Sequence, residues 1–539
     1  MDHDEIAEGI FDIERYEYGF HLAEHKKWIY EEVGRIRGSS DPAVCTGIMG
    51  GSFNFALKLD FVDGGPPWLI RFPLLGRVMF PDEKTLNEIA VMEYLREKTS
   101  LPVPEVVAYS LTKDTPQGVG PFIITTFFEG GTRLIDRMRK EAADRKAGLD
   151  LDLSEEILEK SYRVMAKITL ELSRCTFDRV GSIERDGDEG NAEWKIGERA
   201  AITHCINETM RCCGVRPERI LEGSFTVDQY FTALLDEHMH QLQTQRNAAE
   251  IIRKKEGSED DMELCAEDFR KKFLARHFFR NTILPKFPAS PDLPAAALFC
   301  DDLSPGNVLV DDDFNIVAAI DWEFSYAAPY QYTCSPPHWL LINSPGDWMW
   351  EHGITNFLDT YRPRFETFLK ILRQLEEEDK AKDDIADSVS ESDQSSNRPR
   401  LSTLMQQSWD DGTFWLVEAV KRSGDIDQVY WDCLDERFHG NRVSALEREK
   451  LLDEETRREM ELLVEKKLED LRLYNAELEV FQKKKKEHEE RVERDTEAEA
   501  EAEAENRKGQ EHVEGETEDK DGEEIIEVNG QEVKDEKDA

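Results

Sequence analysis

The stretch Leu298–Glu323 reads LFCDDLSPGNVLVDDDFNIVAAIDWE and carries three oxygen-bearing side chains, Asp302, Asn307 and Asp321, spaced around short apolar runs. Ala297–Phe299 and Val308–Val310 have strand character, and a polar turn with Pro305-Gly306 lies between them. Phe314–Ile320 is a further apolar run that stops at Asp321, so a hairpin would bring Asn307 and Asp321 to one end. That arrangement suits phosphoryl transfer. A carboxylate, here Asp302, positions and deprotonates an attacking hydroxyl, while Asn307 and Asp321 are oxygen ligands of the kind Mg²⁺ takes together with phosphate. An Asp-rich turn with purely capping roles would show the same residues.

Elements upstream must position these groups. Cys45–Leu59 (CTGIMGGSFNFALKL) reads as a strand, a glycine-rich turn and a returning strand, with Gly50, Gly51, Ser52, Phe53 and Asn54 in the turn. Glycines there let backbone N–H groups approach a phosphate closely, although an ordinary β-turn has the same composition. In Trp68–Pro73 (WLIRFP) the alternation places Arg71 on one face of a strand. A cation at that place could hold the α- and β-phosphates, paired with Glu88 near the start of the next helix; Glu93 and Lys58 are the alternative acid and cation. Pro121–Gly130 (PFIITTFFEG) reads as a strand running into a loop. If the chain has two lobes this is their connection, and the backbone at Thr126, Phe127 and Phe128 would offer an N–H and a C=O to an adenine edge.

The whole chain has 539 residues with 69 basic and 115 acidic side chains, a formal net charge of −46. At about 150 residues per domain, two to three domains are expected. The excess is not confined to one tail, although Thr496–Ala539 alone holds 18 acidic and 5 basic residues. Such a charge argues against nucleic acid and against an anionic membrane surface, since both require exposed Lys and Arg. It permits a cationic substrate or a basic partner, and it is solubilising in any case. The N-terminus lacks a basic region followed by an apolar run, and no run of about 18 apolar residues suggests a membrane span. The nine cysteines include only one adjacent pair, Cys212-Cys213, and no CxxC spacing, which points to reduced thiols in a cytosolic or nuclear compartment.

Composition divides the chain into a helical lead-in (1–42), a strand-rich segment (43–132) that holds the expected nucleotide-binding residues, and a helical segment (133–442) that holds the expected catalytic and acceptor-binding ones. Within the last, residues 376–397 are acidic and poor in apolar groups, the signature of a disordered loop. Residues 443–495 read as a long charged helix. Met460, Val464, Lys467, Leu471, Tyr474, Leu478 and Phe481 form a heptad seam in it. That seam fits a helix docked on the body, a solvated helix or a short coiled coil, so 446–482 could serve a protein partner or self-association. Residues 496–539 read as a disordered acidic tail.

Taken together, these elements resemble the aminoglycoside phosphotransferase (choline kinase-like) family of small-molecule kinases, in a fungal-type branch with CDD where the family usually has HGD. The likeness spans residues 43–440 and includes GGSFN, LIRFP, NEIAVMEYL, VPEVVAYS, ITTFFEGG, FDRVGSI, CDDLSPGNVLV, IDWEFSYAAP and PHWLL, in that order. The spacing of Asp302 and Asn307 equals that of a kinase catalytic loop. The resemblance implies an α+β, protein kinase-like fold of two lobes, small and β-rich then larger and helical, using ATP, Mg²⁺ and a small-molecule hydroxyl acceptor. It implies Asp302 as catalytic residue, Asn307 and Asp321 as metal ligands, Arg71 with Glu88 on the phosphates, and Gly50–Asn54 as the nucleotide loop. Three departures stand out. Cys300 replaces a bracing His, Asp301 replaces Gly and adds a carboxylate that would raise a neighbouring pKa, and Arg71 replaces Lys. None removes the base or a ligand. The acidic body inclines the acceptor toward a cation such as an amino sugar or amino alcohol, bound among Asp186–Gln245 and Pro336–Arg437, where Trp339, Asp347 and Trp348 could form a wall. The alternative is a catalytically weak pseudokinase that acts as a partner-binding scaffold. A protein kinase fits less well, because no APE-like segment follows Asp321.

Overall fold

A computed structural model describes residues 4–140, 148–186, 193–216, 222–246, 259–386, 399–422 and 424–518. Helices α1 (Glu5–Glu24) and α2 (Lys26–Arg37) precede a five-stranded antiparallel sheet. The sheet comprises β1 (Val44–Gly50), β2 (Asn54–Asp60), β3 (Trp68–Pro73), β4 (Val106–Ser110) and β5 (Phe122–Thr126), in the order β1-β2-β3-β5-β4. Alternation along these strands buries Leu57, Leu59, Ile70, Phe72, Phe122 and Ile124 with Tyr18, Leu22, Ile29 and Val33 of the two helices. The register sets Ala56, Arg71 and Ile123 abreast. Arg71 therefore leaves that apolar face and points toward α3 (Pro81–Lys98).

The larger lobe is built on three small sheets. β11 (Val308–Val310) pairs with β12 (Ile316–Ala319) and with β6 (Thr132–Arg133). β10 (Ala296–Cys300) pairs with β13 (Ser325–Pro329) and β7 (Thr176–Phe177), and β8 (Ile183–Asp186) with β9 (Glu193–Ile196). Helices α4 (Glu155–Arg174), α5 (His204–Cys213), α6 (Val227–Thr244), α7 (Glu259–Phe278) and α8 (Tyr330–Thr333) surround them. Next come α9 (Pro345–Ala386), broken at Gly353 where φ is 81°, then α10 (Leu401–Asp411) and α11 (Thr413–Lys421). The short helices α12 (Ile426–Val429), α13 (Asp435–His439) and α14 (Ala445–Glu449) lead to α15 (Glu454–Glu518). The protein is thus an α+β, protein kinase-like fold of two lobes. Among the described residues no helix is long and apolar enough to cross a membrane.

Helix α1 belongs to both lobes. Its Tyr18 hydroxyl donates to the Val119 carbonyl at 2.6 Å beneath the sheet. At its other end the Asp4 N–H donates to Cys212 O of α5 at 2.6 Å, and Glu8 pairs with Arg211 at 3.1 Å.

One expectation of a loop is corrected. α9 continues through Glu376–Ala386, where the acidic composition predicted a loop, and Glu376 has a partner far along the chain. Its carboxylate accepts the Ser402 N–H at 3.0 Å and the Ser402 hydroxyl at 2.5 Å, satisfying the open first turn of α10. The rest of that stretch, 387–397, lies outside the described residues. α15 is assigned to Glu454–Glu518, and 519–539 lie outside the described residues.

Over Met460–Tyr474 the heptad seam is used within the chain. Met460, Val464, Lys467, Leu471 and Tyr474 are all buried, Val464 and Leu471 against Cys265 and Phe269 of α7, with Glu461 paired to Arg270 at 2.7 Å. The remainder of α15, from Asn475 to Glu518, belongs to a second unit.

The one lysine in the seam is fully buried, donates to the Gln245 carbonyl and has its ammonium pushed down to about 7 by burial. Between about 7 and the ordinary lysine value the unfolded chain binds the proton and the folded chain does not, so stability rises with pH across that window. Lys467→Met should remove this pH-dependent component and raise neutral-pH stability by about 1 kcal/mol. Urea denaturation at pH 7 and pH 9.5 measures it, and an unchanged difference between the two pH values in the variant would contradict the assignment.

Candidate active site

The β11–β12 hairpin brings its two polar ends together. Val308 pairs with Ala319, and the Ile320 N–H donates to Asn307 O at 2.9 Å. Asp321 follows with φ 61°, a left-handed conformation that Asp tolerates better than a branched residue. On the other side, the turn after β10 folds on itself, with Leu303 N–H to Cys300 O at 3.3 Å and Asp301 N–H to Phe324 O at 3.2 Å. Asn307 Nδ2 donates to the Asp302 carbonyl at 2.9 Å and its carboxylate at 3.1 Å. That leaves Asn307 Oδ1 as an acceptor.

Arg71 spans the lobes. One guanidinium nitrogen pairs with Glu88 and the other with Asp321 Oδ1 at 3.2 Å. Lys84, one turn before Glu88, is buried and pairs with Glu323 at 2.5 Å and Glu88 at 3.8 Å. Asn54 of the glycine-rich turn bridges this pair, donating to Glu323 at 3.0 Å and accepting from Lys84 at 3.2 Å. Phe53 beside it packs edge-on against Phe324 at 5.0 Å and against the His204 ring at 5.6 Å.

Carboxylate oxygens of Asp302, Asp321 and Glu323 lie within 4.8 Å of one another. Burial and the neighbouring Asp321 push the Asp302 carboxyl up to about 7. Burial pushes Glu323 up to about 8 in spite of Lys84, and raises Asp321 against the opposing pull of Arg71. Crowded, desolvated carboxylates beside an amide oxygen are the hard donor set that a divalent cation takes. The oxygens that could hold such an ion are those of Asp302, Asp321 and Glu323 together with Asn307 Oδ1, Asp321 being shared with Arg71 and Glu323 with Lys84 and Asn54.

Two cavities flank this group. The first, about 530 Å³, is lined by Gly50–Asn54, Arg71, Thr126–Phe128, Asp321 and Glu323, with Ala56, Leu69, Met92 and Leu309 as apolar walls. At the connection beyond β5 the Thr126 N–H is given to Glu105 O at 3.0 Å and the Phe127 N–H to Pro67 O at 3.2 Å, so of the three expected residues Phe128 is the one that could offer an N–H. The second cavity, about 280 Å³, is lined by Asp301, Asp302, His204, Trp339, Asp347, Glu418, Lys421 and Arg422 among others.

The remaining sequence candidates fall as follows. Lys58 pairs with Glu129 at 3.2 Å, away from Asp321, and Glu93 is exposed. Trp339 and Asp347 line the second cavity, whereas Trp348 is buried and donates to Asn356 at 2.8 Å. Cys300 is buried with its thiol 3.5 Å from Glu323 O and 4.0 Å from Asp321 O, so it braces the segment after β12 through weak bonds. Asp301 affects Asp302 less than Asp321 does, because its carboxylate turns to the start of α5 and accepts the His204 N–H at 3.0 Å. Lys84 and Glu323 escaped the sequence reading. The i,i+4 spacing of Lys84 and Glu88 and the acid ending IDWE were the available signals.

Removing one partner of a buried pair strands the other, at a cost of about 3–5 kcal/mol. Lys84→Met should therefore lower the melting temperature markedly, and Lys84→Met/Glu323→Gln should recover part of the loss. Calorimetric melting of both variants measures this; additive losses would mean that the pair is not coupled.

Compared with known proteins, the phosphotransferase enzyme family (APH) matches residues 60–332. No curated protein matches. Among solved structures, a macrolide 2'-phosphotransferase type I is 12% identical with a TM-score of 0.31, covering 81% of this chain and 96% of its own. An ethanolamine kinase of Plasmodium vivax is 12% identical with a TM-score of 0.35, covering 79% of this chain and 85% of its own. A spectinomycin phosphotransferase solved with ADP and spectinomycin is 11% identical with a TM-score of 0.29, covering 75% of this chain and 97% of its own.

Proposed function

Since this chain belongs to the phosphotransferase enzyme family, we propose that it moves the γ-phosphoryl group of Mg²⁺-bound ATP to a hydroxyl of a small polar molecule. The observation that carries this reading is the meeting of Asp302, Asn307 and Asp321 between two cavities, Asp321 lining one and Asp302 the other. In the first cavity the Gly50 and Gly51 backbone approaches the phosphates, Arg71 offers them a fixed cation, and the Phe128 N–H meets the base. Asn307 and Asp321 would hold Mg²⁺, which would supply charge to offset that of the phosphates. In the second cavity Asp302 orients the acceptor hydroxyl and takes its proton as the oxygen attacks in line.

Asp302 acts only as the carboxylate. Because its folded value is raised to about 7, the protonated and inactive form grows as pH falls through neutrality. The kcat/KM of transfer, which reports the free chain, should rise with pH across about 6 to 8, and Asp302→Asn should lower kcat by about 10²–10⁴-fold. In the variant the thermal shift produced by Mg·ATP should persist. Removal of a desolvated carboxylate should also raise its melting temperature at pH 8 by about 2–5 °C. Measurement of γ-phosphoryl transfer over a panel of hydroxyl compounds tests the reading. A wild-type chain that neither binds nor consumes Mg·ATP, or an Asp302→Asn variant with full turnover, would overturn it.

A further inference from the structure

The second cavity holds more positive charge than the acidic chain around it suggests. Asp302 is reserved for the acceptor hydroxyl. The rest of the lining then sets Arg139, Lys421 and Arg422 against Asp301, Asp347 and Glu418. A wall of that balance lacks the surplus acid that a cationic acceptor would need.

Its carboxylates are also already engaged. Asp301 accepts the His204 N–H at 3.0 Å, Asp347 accepts the Ser344 hydroxyl at 2.6 Å, and Glu418 pairs with Lys421 at 3.4 Å. Arg422, at the end of α11, is in the opposite condition. Its side chain is 32% exposed and its guanidinium makes no hydrogen bond among the described residues; its acid neighbours act on it only through charge, Asp425 most strongly and Asp347 across a long ion pair of 3.7 Å. A guanidinium presents five donors in a planar fork that matches a carboxylate or a phosphate. Lys421, over the Phe299 ring at 5.3 Å, adds a second cation on the same wall.

Resting on the phosphotransferase reading above, we propose that Arg422 is the specificity-determining residue of the acceptor cavity. It receives an anionic group of the acceptor, a carboxylate or a phosphate, on a molecule whose hydroxyl reaches Asp302. The acceptor is then an anionic or zwitterionic hydroxyl compound rather than a simple amino alcohol. The net charge of the chain describes its outer surface and not this wall.

Calorimetric titration of the full chain, saturated with Mg²⁺ and a non-hydrolysable ATP analogue, tests this with matched probes. These are a short hydroxycarboxylate and its carboxamide, a sugar phosphate and its parent sugar, and choline and ethanolamine. At least one anionic probe should bind about tenfold or more tightly than its neutral counterpart. Arg422→Gln should reduce that ratio to near one, and Arg422→Lys should restore part of it. The carboxylate and phosphate arms identify which anion is taken. If Arg422→Gln no longer gives a nucleotide-induced thermal shift and so has not folded, the same ratio in the wild-type chain should fall as NaCl is raised. Preference for choline or ethanolamine, equal binding of anionic and neutral partners, binding of no anionic probe, or an unchanged ratio in Arg422→Gln would each overturn the proposal. Binding is read without turnover. A chain that selects anions but never transfers phosphoryl groups therefore refutes the activity and not the assignment of Arg422.

Discussion

The pairing of two buried cations, Arg71 and Lys84, with Glu88, Asp321 and Glu323 is the constraint on which the rest of the site depends. Each of these charges loses several kcal/mol of hydration on burial, and only the others return it. Arg71 comes from β3, Lys84 and Glu88 from α3, and Asp321 and Glu323 from the segment after β12. The network is therefore complete only when the sheet lobe, its helix and the larger lobe are assembled. It carries one more negative than positive charge before Asp302 is added. Burial first and that surplus second raise the carboxyls here, and together they suit the place to a divalent ion.

How much of this was legible in the sequence depended on distance along the chain. Asp302, Asn307 and Asp321 lie within one turn and one hairpin, so strand alternation and a Pro-Gly turn were enough to place them side by side. Arg71 and Glu88 needed only the period of a strand and the start of a helix. Lys84 and Glu323 were each readable as ordinary charges, since what makes them a pair is a fold contact across 239 positions of sequence. Arg422 is further removed, as the wall it occupies is assembled from α9, α11 and the turn after β10. The same limit explains the end of α9. Local composition at Glu376–Ala386 is that of a solvated loop, and a carboxylate closing the first turn of a different helix overrides it.

Charge counted over the whole chain and charge counted in a cavity answer different questions. The formal net charge of −46 sets solubility and the long-range field, both of which are properties of the exposed surface. Recognition of a small molecule depends on the few donors and acceptors that its cavity leaves unsatisfied. There Arg422 is the cation whose donors make no hydrogen bond among the described residues, while Asp301, Asp347 and Glu418 each have a partner.

The lobes are joined at several places besides the backbone beyond β5: the docked end of α1, the Arg71 and Lys84 ion pairs, and Asn207 of α5, whose side chain accepts the Met79 N–H at 3.0 Å. Parting the lobes would break these contacts together. Asp321 would then lose Arg71, the cation that opposes the rise of its carboxyl.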